Sequence, residues 1–280
     1  MRMWRIFFIL LSGRGRSNRF VVLLNMRRRE KFVLSSIFLS LGLLAVQYVS
    51  LDYRYAAVGL LSLASYFVSA WALSDDLQTH EWLTIVPLPG LYSLSVGLFY
   101  FLLPESFVSR ITILVLFGVG MYGLYLTSNI FSVAKGRTIQ LLYAAHAIGL
   151  LFTILTSLLF LNTIFSLRLP WYLNGVLVGA SHFLLIFLSL WSVNLEDKVS
   201  KAIVVLSLLL TLIVAELAVA FSFYPFSVWH STLFIMSFLY ISLGILHNYL
   251  RSRLFKNTLI EYLVVLGFVG VLFLIFFPLK

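Results

Sequence analysis

The chain has 280 residues, of which 61% are hydrophobic and only 11% are charged. Soluble domains carry about 25% charged residues, and a chain this apolar would expose more apolar surface than a soluble monomer tolerates. A soluble globular protein is therefore excluded, and the absence of cysteine excludes disulfides, thiolate metal sites and cysteine nucleophiles.

The net charge of +10 is concentrated at one end, since nine of the 20 Lys and Arg residues fall within residues 1–31. Most of the others lie in short loops between apolar segments, where basic residues set orientation and contact anionic lipid. The pattern indicates a lipid bilayer as partner and no nucleic acid. Residues 1–31 are predicted to form a basic arm, disordered or interfacial. Whether residues 1–25 belong to the natural protein is an open question, because Met26 offers a second start.

Residues 32–280 are predicted to form a single transmembrane domain of about nine helices, which makes the fold class an all-α polytopic bundle. Each apolar stretch is close to the 20 residues that a spanning helix needs. Barrel strands would alternate apolar and polar residues over about ten positions, whereas these stretches are apolar on every side. The predicted spans are 32–50, 55–73, 83–103, 111–131, 139–161, 172–194, 202–222, 231–249 and 258–277.

The loop before the third span and the start of that span carry the first local signals. Asp76, His80 and Glu81 are weak candidates for metal ligands, but no known metal-site spacing is matched, so neither a metal nor a cofactor is predicted. Pro87, together with Pro89 and Gly90, predicts a helix break, because proline removes a backbone donor and restricts the residue before it.

Basic residues predict the orientation. With the N-terminus inside, the inner loops and the residues directly before the first span hold eleven Lys and Arg, against four outside. Loop 74–82 does not fit this pattern, because it should lie inside yet contains no Lys or Arg. An odd number of spans then places the C-terminus outside. The short loops favour a bacterial-type plasma membrane.

Three consecutive predicted spans carry ionisable residues near mid-depth, namely His146, His182 and Glu216. An acidic residue at the centre of a span costs about 2.5 to 3.5 kcal/mol. The rest of its span is apolar enough to insert in spite of this cost, and the cost itself leads us to expect that Glu216 faces protein and is neutral or paired. At 100° per residue, Tyr143 and Thr153 share the face of His146, which predicts a polar stripe.

His182 shares a face with Gly175 and Gly179, whose spacing of four residues allows two helix backbones to approach closely.

The sequence features described above leave three interpretations of function open. The first is a non-catalytic subunit, scaffold or sensor that binds a membrane protein or a second copy. The second is a small transporter or channel, and the third is an enzyme acting on a lipid-linked substrate. No catalytic residue is predicted.

Overall fold

The computed structural model describes residues 27–75, 77, 81–104, 106–134, 140–195 and 199–275. Most of the predicted basic arm, together with Asp76 and His80, lies outside these residues. The described residues form helices and contain no strand. The helices are α1 (Arg28–Gln47), α2 (Arg54–Ala72), α3 (Glu81–Thr84), α4 (Pro87–Tyr100), α5 (Phe107–Val133), α6 (Leu141–Ser166), α7 (Trp171–Trp191), α8 (Lys201–Ser222), α9 (Val228–Leu250) and α10 (Lys256–Ile275).

With α3 and α4 taken together, the described residues supply nine segments that are long and apolar enough to cross a membrane. The prediction of an all-α polytopic bundle is confirmed. Most helix ends fall within a few residues of the predicted span ends, because the apolar stretches are interrupted by the polar residues and prolines that end helices in lipid.

Contacts near the helix ends show which ends of the bundle come together. Lys31 Nζ at the start of α1 lies 2.7 Å from a carboxylate oxygen of Asp75, which follows α2. At the opposite end, the Arg54 guanidinium lies 5.2 Å from the ring centre of Phe101. Consecutive spans are therefore antiparallel here. We call the end of the bundle that contains Lys31 the Lys31 end, and the other the Arg54 end.

Helix α6 is the centre of the bundle. It packs against α4 and α5 on one side and against α7 and α9 on the other. Helices α1, α2, α4 and α5 form one group, and α7 to α10 form the second. The core is filled by large side chains such as Phe117, Tyr125 and Trp191, which are almost fully buried.

Helices α7 and α8 form the most extensive pair, and glycine explains their close approach. A Cβ atom at Gly175 would lie 2.6 Å from Val219 Cγ2, and one at Gly179 would lie 3.6 Å from Ala215 Cβ. The glycine pair expected to support a close helix contact therefore serves a contact within this chain. Ala215 and Val219, four residues apart, lie on the side of α8 that faces α7.

Helix α10 is the most peripheral element, since none of its described residues is buried. It packs mainly on α9, where Tyr262 lies against Gly244. Near the Arg54 end, Phe273 lies 5.4 Å, ring centre to ring centre, from Phe221 of α8. Most of this helix therefore faces the bilayer.

Candidate functional site

Glu216 lies on the outer surface of α8, contrary to the expectation that it faces protein. The buried side of α8 includes Ser207, Val214 and Ala218. At 100° per residue, Glu216 lies on the opposite side of the helix from these residues. The glycine-supported contact fixes this rotation, because it turns Ala215 and Val219 toward α7.

The depth of Glu216 places its carboxyl group within the apolar part of the span. It lies six residues before the end of α8 at Ser222, or about 9 Å along the axis at 1.5 Å per residue. Four other exposed residues share this side of the helix. We call the set the Glu216 face: Val205, Leu209, Leu212, Glu216 and Ala220.

His182 lies in a different environment, fully enclosed between α6 and α7. Its Nδ1 donates to the carbonyl oxygen of Val178 at 2.9 Å. Neutral imidazole then offers Nε2 as an acceptor, and the Ser157 hydroxyl donates to it at 2.8 Å. Both ring nitrogens therefore have partners, so this histidine joins two helices.

His146 lies near the Lys31 end rather than at mid-depth, because α6 begins only at Leu141. Its Nε2 donates to the Ser192 carbonyl oxygen at 2.7 Å. A second histidine lies nearby: the Nε2 of His247 is 3.0 Å from Ser189 Oγ. These contacts join the start of α6 to the end of α7, and the end of α7 to the end of α9.

The predicted polar stripe on α6 divides into two environments. Thr153 is buried and donates to the Gly149 carbonyl oxygen at 2.9 Å. Tyr143, in contrast, is exposed at the Lys31 end, where Arg253 Nη1 donates to its hydroxyl oxygen at 3.4 Å. Tyr143 therefore belongs to the membrane surface and does not line the interior with His146.

A small cavity of about 20 Å³ lies between α3, α4, α5, α6 and α7. This volume is sufficient for about one water molecule. Six of its lining residues carry hydroxyl groups: Thr84, Thr127, Ser128, Thr153, Ser189 and Ser192. A larger apolar groove of about 460 Å³ lies between α1 and α5 and is lined in part by Ser36, Ser40 and Gly118. Neither cavity is lined by Glu216 or His182.

The first residue of α3 places one acidic side chain in the interior. Glu81 is buried, and the Ser132 hydroxyl donates to its Oε2 at 2.7 Å. Within the described part of the chain, no group of three His, Asp or Glu side chains lies close enough to hold a metal ion. The weak metal candidates Asp76 and His80 lie outside it.

The helix break occurs just before the predicted prolines. Helix α3 ends at Thr84, Ile85 and Val86 interrupt it, and Pro87 is the first residue of α4. Two serines of α2 hold the new start, since the Ser62 hydroxyl donates to the Gly90 carbonyl oxygen at 2.9 Å and Ser65 donates to that of Pro89 at 3.2 Å. The break therefore starts a helix against α2, and it forms no open binding site.

Sequence reasoning missed two parts of this arrangement. The bond between Glu81 and Ser132 joins residues 51 positions apart, and no local pattern signals it. Arg251 was counted only as a basic loop residue, although its Nη2 atom is buried and has no hydrogen-bond partner. Its position just after an apolar span and two residues before Arg253 was the available signal in the sequence.

Comparison with known proteins gives a family but no activity. No curated protein and no solved structure matches the chain. A family model described as "Protein of unknown function (DUF5656)" matches residues 56–277, from the first turn of α2 to beyond the end of α10. That segment contains Glu216, His146, His182 and Arg251. The chain is therefore a polytopic membrane protein that belongs to the DUF5656 family.

Proposed function

We propose that this protein is a non-catalytic subunit or scaffold of a membrane assembly, and that the Glu216 face binds a transmembrane helix of another membrane protein. The proposal depends on one observation: a carboxyl group at membrane depth lies on the outside of the bundle. A charged group exposed to lipid there costs about 2.5 to 3.5 kcal/mol. A partner helix that hydrogen-bonds the carboxyl group offsets that cost.

The chemistry of the partner follows from charge complementarity. Intramembrane acidic residues pair with other polar or charged groups, so the best complement is a Lys or Arg side chain at the same depth. In a second copy with the same orientation, each residue lies at the same depth as in the first. Every described Lys and Arg lies in the first turn of a helix or outside the helices. Among its described residues, a second copy therefore offers no such cation at the depth of Glu216, which favours a different protein as the partner.

The rival functions have weaker support. A transport path through His146, His182 and Glu216 requires the three groups to share a cavity, but His182 is enclosed and Glu216 faces outward. The enzyme interpretation needs Asp75, Asp76, His80 and Glu81 to act together, and among them Asp75 and Glu81 are described. Asp75 pairs with Lys31, and Glu81 accepts a hydrogen bond from Ser132 within the bundle.

The basic residues also support an orientation and a location. Arg28, Arg29, Lys31, Arg251 and Arg253 all lie at the Lys31 end. By the positive-inside rule this end faces the cytoplasm, and we place the assembly in a bacterial-type plasma membrane. Glu216 then lies in the outer half of the bilayer.

The experiment uses a designed transmembrane peptide of Leu and Ala that carries one Lys at the depth of Glu216. Energy transfer between the labelled peptide and the full-length protein in vesicles measures association. The Lys peptide is expected to bind the native protein about three- to twentyfold more tightly than it binds Glu216→Leu, as for an interhelical hydrogen bond worth about 0.6 to 1.7 kcal/mol.

Matched controls separate this result from nonspecific association. The same peptide with Leu in place of Lys removes the cation, and Glu261→Leu removes an exposed acidic residue elsewhere in the bundle. Equal binding of both peptides to native protein and to Glu216→Leu contradicts the proposal. Self-association of the native protein that Glu216→Leu abolishes, with no preference for the Lys peptide, also contradicts it and identifies a second copy as the partner.

A further inference from the structure

The turn between α9 and α10 gathers positive charge at the Lys31 end. Arg251 and Arg253 flank Ser252, whose φ of 54° lies in the left-handed region. Lys256 begins α10. Tyr143, from the first turn of α6, accepts a hydrogen bond from Arg253 Nη1 at 3.4 Å. Donor groups from two separate parts of the sequence therefore meet at one point.

The guanidinium of Arg251 has no described acceptor. Its Nη2 atom is buried without a hydrogen bond, and in the described part of the chain the group takes part in no ion pair. Burial lowers the pKa of Arg251, and the nearby Arg253 lowers it further, whereas Tyr143 raises it. Leaving a buried donor of a charged group without a partner costs more than 1 kcal/mol. The fold therefore leaves the Nη2 donor of Arg251 available to an acceptor from outside the protein.

The surroundings place this arginine at the level of lipid headgroups. Arg251 is the first residue after α9, and the exposed rings of Tyr249 and Phe255 lie on either side of it in sequence. Aromatic side chains favour the boundary between the headgroups and the hydrocarbon. Because Arg251 as a whole is only half-buried, an anion at the membrane surface can reach it.

We propose that Arg251, Arg253, Lys256 and Tyr143 form a binding site for the phosphate group of an anionic phospholipid. Guanidinium groups match phosphate oxygens with paired donors. The Tyr143 hydroxyl and the Lys256 ammonium add further donors at the rim. Since a zwitterionic headgroup brings its own cation toward these residues, the site discriminates in favour of a net negative lipid.

The test measures the unfolding temperature of the full-length protein in detergent micelles with added short-chain phosphatidylglycerol, short-chain phosphatidylcholine or inorganic phosphate. A ligand that binds only the folded state raises this temperature. Phosphatidylglycerol is expected to raise it for the native protein and to bind Arg251→Gln about tenfold more weakly. The matched control is Arg168→Gln, an exposed arginine in a loop at the Arg54 end.

Each outcome bears on the proposal. If inorganic phosphate also stabilises the native protein but not Arg251→Gln, the anion site is supported. The site then binds dissolved phosphate as well as the phosphate group of a lipid. Equal stabilisation of Arg251→Gln and Arg168→Gln by phosphatidylglycerol would overturn it, as would equal stabilisation of the native protein by phosphatidylcholine. If Arg251→Gln does not fold, Arg253→Gln gives the same comparison, because it removes the neighbouring guanidinium from an exposed position.

Discussion

At the scale of single residues, the rotation of each helix about its axis decides whether an ionisable side chain faces the interior or the outside of the bundle. His182 has partners for both ring nitrogens within the bundle, whereas Glu216, on the next helix, faces outward. Sequence reasoning placed both in spans correctly but misjudged the direction of Glu216. Helix α8 is apolar on nearly every side, so hydrophobic periodicity could not indicate which side packs inward.

The bond between Ser157 and His182 gives a prediction at this scale. Replacing Ser157 with Ala removes the donor and leaves a buried imidazole nitrogen without a partner. We expect the free energy of unfolding to fall by about 1 to 2 kcal/mol, measured by denaturation in mixed micelles. The control is Ser207→Ala, because the buried Ser207 hydroxyl donates only to the Ile203 carbonyl oxygen of its own helix. An equal loss in both variants would contradict a role in joining helices.

At the scale of elements, the positions of the helices along the chain could be predicted, but their partners could not. Length and polarity fix where a helix enters and leaves the bilayer. The glycine pair Gly175 and Gly179 correctly indicated close packing, yet nothing in the sequence named α8 as the helix that fits it. A break at Pro87, Pro89 and Gly90 was predicted, whereas the interruption lies at Ile85 and Val86 and these three residues belong to α4; the contact of Ser62 with the Gly90 carbonyl oxygen depends on the fold.

The contact between α7 and α8 gives a prediction for this pair of helices. Gly175→Ala would place a Cβ atom 2.6 Å from Val219 Cγ2, so we expect a loss of about 1 to 3 kcal/mol from overpacking. Val219→Ala should restore most of this loss in the double variant, as measured by the same denaturation. Gly267→Ala is the control, since nothing lies within 4 Å of that position. Failure of Val219→Ala to rescue would contradict the packing described.

At the scale of the whole molecule, the bundle has a closed interior and an asymmetric exterior. In the interior, Ser157 of α6 bonds to His182 of α7, Thr153 bonds to a carbonyl of its own helix, and hydroxyl groups of both helices line a cavity of about 20 Å³. The exterior carries the unusual features: a carboxyl group on α8, and a cluster of cations after α9. These features are the basis of our proposal that the protein functions through contacts with neighbouring molecules in the membrane. The family match supplies membership without an activity.

The environment of position 216 in a lipid bilayer tests the central claim most directly. The chain has no cysteine, so Glu216→Cys, Leu212→Cys and Ala218→Cys each carry one spin label without further changes. In vesicles of purified protein, we predict that the label at 216 is mobile and accessible to oxygen, like the label at the exposed Leu212, whereas the label at the buried Ala218 is immobile and protected. A label at 216 that is as immobile and protected as the one at 218 would contradict the account.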